Sequence, residues 1–115
     1  MRYTQSLKKT PEFRNVYRRG KSIANRYLVL YKCKNNKTFN RLGVSVSKKV
    51  GKSVVRSRVT RLIKESFRLK EDFIEQPGWD FVIVARTNAK DATYQEVSEA
   101  LEQLLKQHKI FIKNS

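Results

Sequence analysis

One cysteine, one histidine, one tryptophan and two prolines are all that these 115 residues hold of those four types. The lone Cys33 excludes a disulfide framework and a multi-cysteine zinc site within the chain. It falls in a β-like run and reads as a small hydrophobe, buried or half-buried. The single histidine, His108, stands near the end of an acidic helical segment and reads as a surface residue rather than a general base. No paired carboxylates, nucleophile–base pair or metal-ligand cluster presents itself, so no catalytic residue and no protein-bound cofactor or metal is expected. No apolar run approaches membrane-spanning length, and Met1-Arg2-Tyr3-Thr4-Gln5 lacks the apolar stretch of a signal peptide. The expectation is a cytoplasmic protein of one domain, residues 1–115, that buries a modest core without staples.

Acids are the other scarcity. The first 70 residues carry 21 Lys and Arg but only Glu12 and Glu65, a formal charge of +19; the remaining 45 carry 5 bases and 8 acids, or −3. The densest run is Lys48-Lys49-Val50-Gly51-Lys52-Ser53-Val54-Val55-Arg56-Ser57-Arg58-Val59-Thr60-Arg61-Leu62-Ile63-Lys64. So much like charge repels itself unless a polyanion lies against it, and nucleic acid is the leading candidate. A membrane-surface role for the basic patch stays open, but no helix joins this patch to a bulky, exposed-looking aromatic face.

Thr10-Pro11-Glu12 opens a helix, with Thr10 able to cap, Pro11 suited to the first helical position and Glu12 at the positive end of the dipole. Phe13, Val16 and Tyr17 share a face and Gly20 is the stop. Asn25 to Lys34 reads as a strand, with Tyr27, Val29, Tyr31 and Cys33 on one side and Leu28, Leu30 and Lys32 on the other. Arg41 to Ser47 is a second strand; Leu42, Val44 and Val46 share one face, and the small face of Gly43, Ser45 and Ser47 admits a close approach. A long helix spans about Ser53 to Leu69, burying Val55, Val59, Leu62, Ile63, Ser66 and Phe67. Ser57, Arg61, Lys64 and Arg68 take the opposite face, Arg58 its edge, and Arg56 flanks the apolar stripe. Pro77-Gly78 is a turn and Trp79 to Ala85 a nearly continuous buried strand. Thr93 with Glu96 makes a capping box for a helix reaching about Lys109, with Val97, Ala100, Leu101, Leu104 and Leu105 as its stripe. The tail from Ile110 to Ser115 reads as weakly held.

Three features invite function. Gly51-Lys52-Ser53 before a helix has the end of a phosphate-binding loop, but the glycine that the pattern requires five residues earlier is Val46, which argues against a nucleotide triphosphatase. A weaker version survives, in which backbone N–H groups at this helix start, with Lys48, Lys49 and Lys52, hold an RNA phosphate. The helix face of Ser57, Arg61, Lys64 and Arg68 has a plain alternative, a solvated charged surface. Solvated faces mix signs, however, and this one has only Glu65 nearby. The aromatics Phe13, Tyr17, Tyr27 and Tyr31 stand open between two roles: core packing, or rings in a cleft on which single-stranded bases stack.

The run Arg41-Leu42-Gly43-Val44-Ser45-Val46-Ser47-Lys48-Lys49-Val50-Gly51, continued by Val54 to Glu65, resembles the signature of the bacterial ribonuclease P protein subunits. Phe13, Tyr17 and Gly20, the segment Ser22-Ile23-Ala24-Asn25-Arg26, and Val82-Ile83-Val84-Ala85-Arg86 match as well, in the right order over nearly the whole chain. One departure stands out: Arg56-Ser57-Arg58 occupies the place of the family's usual Arg-Asn-Arg, losing the second end of an amide.

The resemblance implies an α+β fold: a small four-stranded mixed sheet with helices packed on it, order α-β-β-β-α-β-α, and a left-handed βαβ crossover. It implies a protein that binds a large catalytic RNA and the 5′ leader of precursor tRNA, with magnesium at the RNA's active site doing the chemistry. The protein alone would be inactive, and it is expected to be a monomer. The RNA-binding residues implied are Lys48, Lys49, Lys52, Arg56, Ser57, Arg58, Arg61, Lys64 and Arg68; Phe13, Tyr17 and Tyr31 would line the leader cleft. The alternative reading is a ribosomal or general RNA-binding protein. A protein that cleaves RNA unaided is a third, which would need an essential acid or His108.

Overall fold

The computed structural model describes residues 1, 3–74 and 78–112. Its elements run β1 (Thr4–Ser6), α1 (Thr10–Arg19), β2 (Lys21–Ala24), β3 (Leu28–Lys34), β4 (Asn40–Ser45), α2 (Ser53–Lys70), β5 (Trp79–Ala85) and α3 (Tyr94–Gln107). The fold is α+β, with one mixed sheet in the spatial order β1-β4-β5-β3-β2. This sheet has five strands where four were expected. The additional one is β1, which pairs in parallel with β4 from Thr4↔Asn40 to Ser6↔Leu42 and is too short to show a period-two pattern. β4 and β5 are parallel neighbours joined through α2, while β3 runs antiparallel on the other side of β5.

Alternating side chains give the sheet two faces. On one, Leu28, Leu30, Leu42, Phe81 and Ile83 meet Val59, Ile63 and Phe67 of α2 and Leu101, Leu104 and Leu105 of α3, forming the main core. On the other, Val82 meets Val16 of α1 and Leu7, flanked by Phe13, Tyr31, the half-buried Cys33 and Val84. The chain is therefore a three-layer stack, α1 over the sheet over the α2–α3 pair.

Several local expectations are corrected. Lys9, not Thr10, is the cap of α1, and Thr10 is the first helical residue. The free N–H groups of Lys8 and Lys9 are instead taken by the Glu12 carboxylate, at 3.2 and 3.0 Å, which places the acid at the positive end of the helix as the sequence suggests. The strand read from Asn25 starts only at Leu28, because the Asn25 side chain accepts from the N–H groups of Tyr27 and Leu28 and turns the chain there. Tyr27 thereby parts from Val29 and Tyr31: it packs against the main core and its hydroxyl donates to Glu96 of α3 at 2.7 Å. The close approach to Gly43 is made by the chain itself, since a Cβ there would stand 2.5 Å from the Phe13 ring. The tail is held as far as Ile112: Ile110 is buried, Phe111 pairs with Ile74 across an isolated bridge, and its ring lies 5.9 Å from Phe73. The expected turn at Pro77 and the last three residues lie outside the described residues, while Gly78 carries the positive φ that a turn requires.

His108 overturns its surface assignment. It is 4% exposed, and its Nε2 lies 2.8 Å from the carbonyl oxygen of Leu30. The helix ends at Gln107, and a left-handed Lys109 reverses the chain so that the ring folds back onto β3. Burial lowers the imidazole pKa from its usual 6.5, so the folded state favours the neutral ring. The unfolded chain binds the proton more readily between the two pKa values. Stability is therefore full above about pH 6.5 and declines as pH falls toward the folded value. The urea midpoint is expected to drop between about pH 7.5 and pH 5.5, and His108→Gln to abolish most of that drop. An equal drop in the variant would assign the pH dependence to another group.

Candidate nucleic-acid interface

The interface is built from two elements on different sides of the sheet. On the core side, α2 buries Val59, Ile63, Ser66 and Phe67, which turns the opposite face outward. Ser57, Arg61, Lys64 and Arg68 on that face are exposed, as are Lys48, Lys49 and Lys52 in the turn that leads into it. Among the described residues Lys48, Lys49, Lys52, Arg61 and Lys64 have no ion pair, whereas Arg68 is held by Glu65 on the preceding turn. The guanidinium hydrogen bond lowers the Glu65 carboxyl below its ordinary range and stabilises the charge on Arg68. A groove of about 480 Å³ at the foot of the helix brings Val44, Ser53, Arg56, Ser57, Thr60 and Arg61 together, and the half-buried Arg56 has an Nε with no hydrogen-bond partner among the described residues.

Arg58 is the exception. Its guanidinium donates to the carbonyls of Lys90 and Ala92 at 2.6 and 3.2 Å, tying α2 to the loop before α3. It is thus withdrawn from the free cationic face, with which the sequence grouped it.

On the other side, α1 covers only part of the sheet. The row Gly43–Val82–Tyr31–Ser22 runs across four strands, and the next row is Ser45–Val84–Val29–Ala24. Phe13 seats on Gly43 in the first row. The second row is not closed over: Ala24 is exposed, and Val29, Val84 and Ser45 are half-buried. At the border of this open strip stand three rings, with Phe13–Tyr17 centroids 6.5 Å and Tyr17–Tyr31 centroids 5.0 Å apart, the latter edge to face. Phe13 and Tyr31 are half-buried and Tyr17 is 41% exposed, so the trio serves the second core and the surface at once. Tyr27 is not part of it. The strip floor was invisible in the sequence, because only strand register brings Ser45, Val84 and Val29 side by side.

Among the described residues no three His, Cys, Asp or Glu side chains gather where they could hold a metal ion. Nor is any helix there long and apolar enough to cross a membrane.

Fold and charge pattern together define a small basic α+β protein with one strongly cationic helix face and one half-covered sheet face. Comparison with known proteins makes the assignment specific. The family model described as Ribonuclease P matches residues 1–109, and the chain belongs to that family. It is 58% identical over 107 residues to the "Ribonuclease P protein component" of Lachnoclostridium phytofermentans, covering 93% of this chain and 91% of that protein. The solved RNase P protein of Staphylococcus aureus superposes with a TM-score of 0.84 at 39% identity, covering 92% of this chain and 96% of that one. The Thermotoga maritima protein does so with a TM-score of 0.81 at 31% identity, covering 90% and 96%.

The geometry separates a structural arginine from the free ones. Arg58→Ala should cost about 1–3 kcal/mol in chemical denaturation, because two carbonyls lose a charged donor. Arg61→Ala and Lys64→Ala should stay within about 0.5 kcal/mol of the parent. Equal stability of all three variants would mean that the Arg58 hydrogen bonds hold nothing.

Proposed function

We propose that this protein is the protein subunit of a ribonuclease P holoenzyme that removes the 5′ leader of precursor tRNA endonucleolytically, leaving a 5′-phosphate on the mature tRNA. In this reading the cationic face, Lys48, Lys49, Lys52, Arg56, Ser57, Arg61, Lys64 and Arg68, contacts RNA. Arg58 is retained at its edge as the residue that fixes the helix against the α3 loop. The leader lies on the open strip edged by Phe13, Tyr17 and Tyr31. The catalytic RNA and its magnesium ions do the bond chemistry. The protein acts in the cytoplasm and as a monomer within the holoenzyme.

The single observation that carries the proposal is the exposed cationic face of α2, on which Arg61 and Lys64 have no ion pair among the described residues, in a chain that belongs to the Ribonuclease P family. The physics suits it. Leaders differ in sequence, and a strip of small and apolar side chains with rings at its border reads no base edge but can stack any base, at roughly 1–3 kcal/mol each. Cations placed between two RNAs offset phosphate repulsion and reduce the magnesium needed to bring them together.

The test is cleavage of a precursor tRNA by a bacterial ribonuclease P RNA at low magnesium, with and without this protein, beside a protein-only control. Stimulation only when both components are present is the expected result. RNA binding without stimulation would move the assignment to a ribosomal or general RNA-binding protein, and cleavage by the protein alone would overturn the division of labour. In the same system Arg61→Ala with Lys64→Ala should weaken RNA binding. It should also flatten the log–log salt dependence by about 0.7–0.9 for each phosphate that is no longer neutralised. An unchanged slope would remove these residues from the interface.

A further inference from the structure

Along β4, α1 crosses at Gly43, where Phe13 sits; Ser45 on one side belongs to the open strip, and Arg41 on the other belongs to a second groove. The two positions are about 13 Å apart along the strand. This second groove, of about 580 Å³, lies between the edge strand β1, the start of α1 and the loop before β4. Its charges sort cleanly. Arg41 is paired with Glu12 at 2.6 Å and with Asp80 at 2.7 Å, and Glu12 also closes the helix start, so this cluster is satisfied within the fold and carries a formal −1, mostly on the buried Asp80 side. What remains are Lys8, Lys9 and Lys37, all exposed and with no ion pair among the described residues. The Lys37 ammonium lies 5.8 Å from the centroid of the Phe39 ring, which also lines the groove. On the floor, Thr4 is 9% exposed, and its Oγ1 is buried without a hydrogen-bond partner among the described residues.

Three unpaired ammonium groups, a polar edge strand and one ring match the ribose–phosphate backbone of a single strand: cations for phosphates, hydroxyl and amide groups for the sugar, a ring face for a base. We propose that this groove is a second phosphate-binding site for RNA, separated by α1 from the open strip and remote in the fold from the α2 face. The proposal rests on the RNA-binding reading above and extends it to residues which that reading does not use. The strand that occupies the groove comes either from the distal part of the leader or from the RNA subunit, and the two sources are separable.

The test uses Lys8→Ala with Lys37→Ala in the full-length protein, two exposed side chains from different segments, so the melting temperature should not move. Affinity is measured for a bacterial ribonuclease P RNA alone, and by the assembled holoenzyme for precursor tRNAs with long and with trimmed leaders, over a salt series. A three- to tenfold loss is expected in one of these arms, with a salt slope shallower by about 1.4 for two single-strand phosphates, and recovery in Lys8→Arg with Lys37→Arg. A loss confined to the long leader assigns the groove to the leader; a loss with the RNA alone assigns it to the subunit. Unchanged affinity in every arm, while Arg61→Ala with Lys64→Ala still weakens binding, overturns the groove alone. Unchanged affinity for both pairs of variants overturns the RNA-binding reading and the groove with it.

Discussion

The salt-bridge cluster centred on Arg41 decides where α1 sits, and the usable surface follows from that. Asp80 of β5 is 2% exposed, a position that an ionised carboxylate tolerates only when fully partnered. It is: Arg41 donates from Nε and from a terminal nitrogen at 2.8 and 2.7 Å, and Asn35 donates at 2.8 Å. The remaining arm of Arg41 reaches Glu12 on α1 at 2.6 Å, and Glu12 takes the first N–H groups of its helix. Hydrogen bonding to Asp80 raises the Arg41 pKa, and the backbone N–H of Lys9 leads the causes that lower the pKa of Glu12. Removing one partner from such a set typically costs about 3–5 kcal/mol, because the others are left buried and uncompensated. Docked by this bridge at one end and by Phe13 on Gly43, α1 covers one half of its sheet face and leaves the other open.

The same economy of acids shapes the charge. Among the few carboxylates, Glu12 and Asp80 hold Arg41, Glu96 caps α3 and accepts from Tyr27, Glu71 accepts from the N–H of Tyr3, and Glu102 pairs with Lys106. They are engaged inside the fold, at the C-cap of α2 or on α3, and the outer face of α2 keeps only Glu65. Of the formal +16 of the chain, α2 therefore keeps +5 (six bases and Glu65), and Lys48, Lys49 and Lys52 in the turn before it add three more. Under the proposed function, that repulsion in the free protein is relieved on assembly, and RNA binding should stabilise the fold as any ligand of the native state does.

How much of this was legible in the chain depends on the range of the interaction. The stripes of α2 and α3, the Thr93–Glu96 capping box and β5 from Trp79 to Ala85 rest on spacing within one element, and the structure bears them out, except that Val55 and Leu62 at the border of the α2 stripe are half-buried. The outward cationic face followed from the same 3.6-residue period. What failed was decided by partners distant in sequence. The buried position of His108 depends on Leu30, seventy-eight residues away, and the strand β1 exists only because β4 offers an edge. Arg58, placed by the period at the edge of the cationic face, also donates to the carbonyls of Lys90 and Ala92, partners that spacing within α2 does not reveal. The strip floor of Ser45, Val84 and Val29 and the Lys8–Lys37 groove combine residues from separate segments, so no local pattern could have marked them. The family resemblance supplied Phe13, Tyr17 and Tyr31 as a group where periodicity left core and surface open, and their half-covered position explains why both readings had support.

The leader-binding half of the proposed function depends on the open half of the α1 face receiving a single strand. Tyr17, 41% exposed at the border of that strip, is the residue that tests it with least damage to the core. The measurement is the affinity ratio of precursor to mature tRNA for the assembled holoenzyme, with the parent protein and with Tyr17→Ala. A leader seated on the strip predicts a ratio that falls severalfold toward one, at an unchanged melting temperature and with mature-tRNA affinity retained. A ratio that stays at the parent value, or an equal loss for both RNAs, would contradict it.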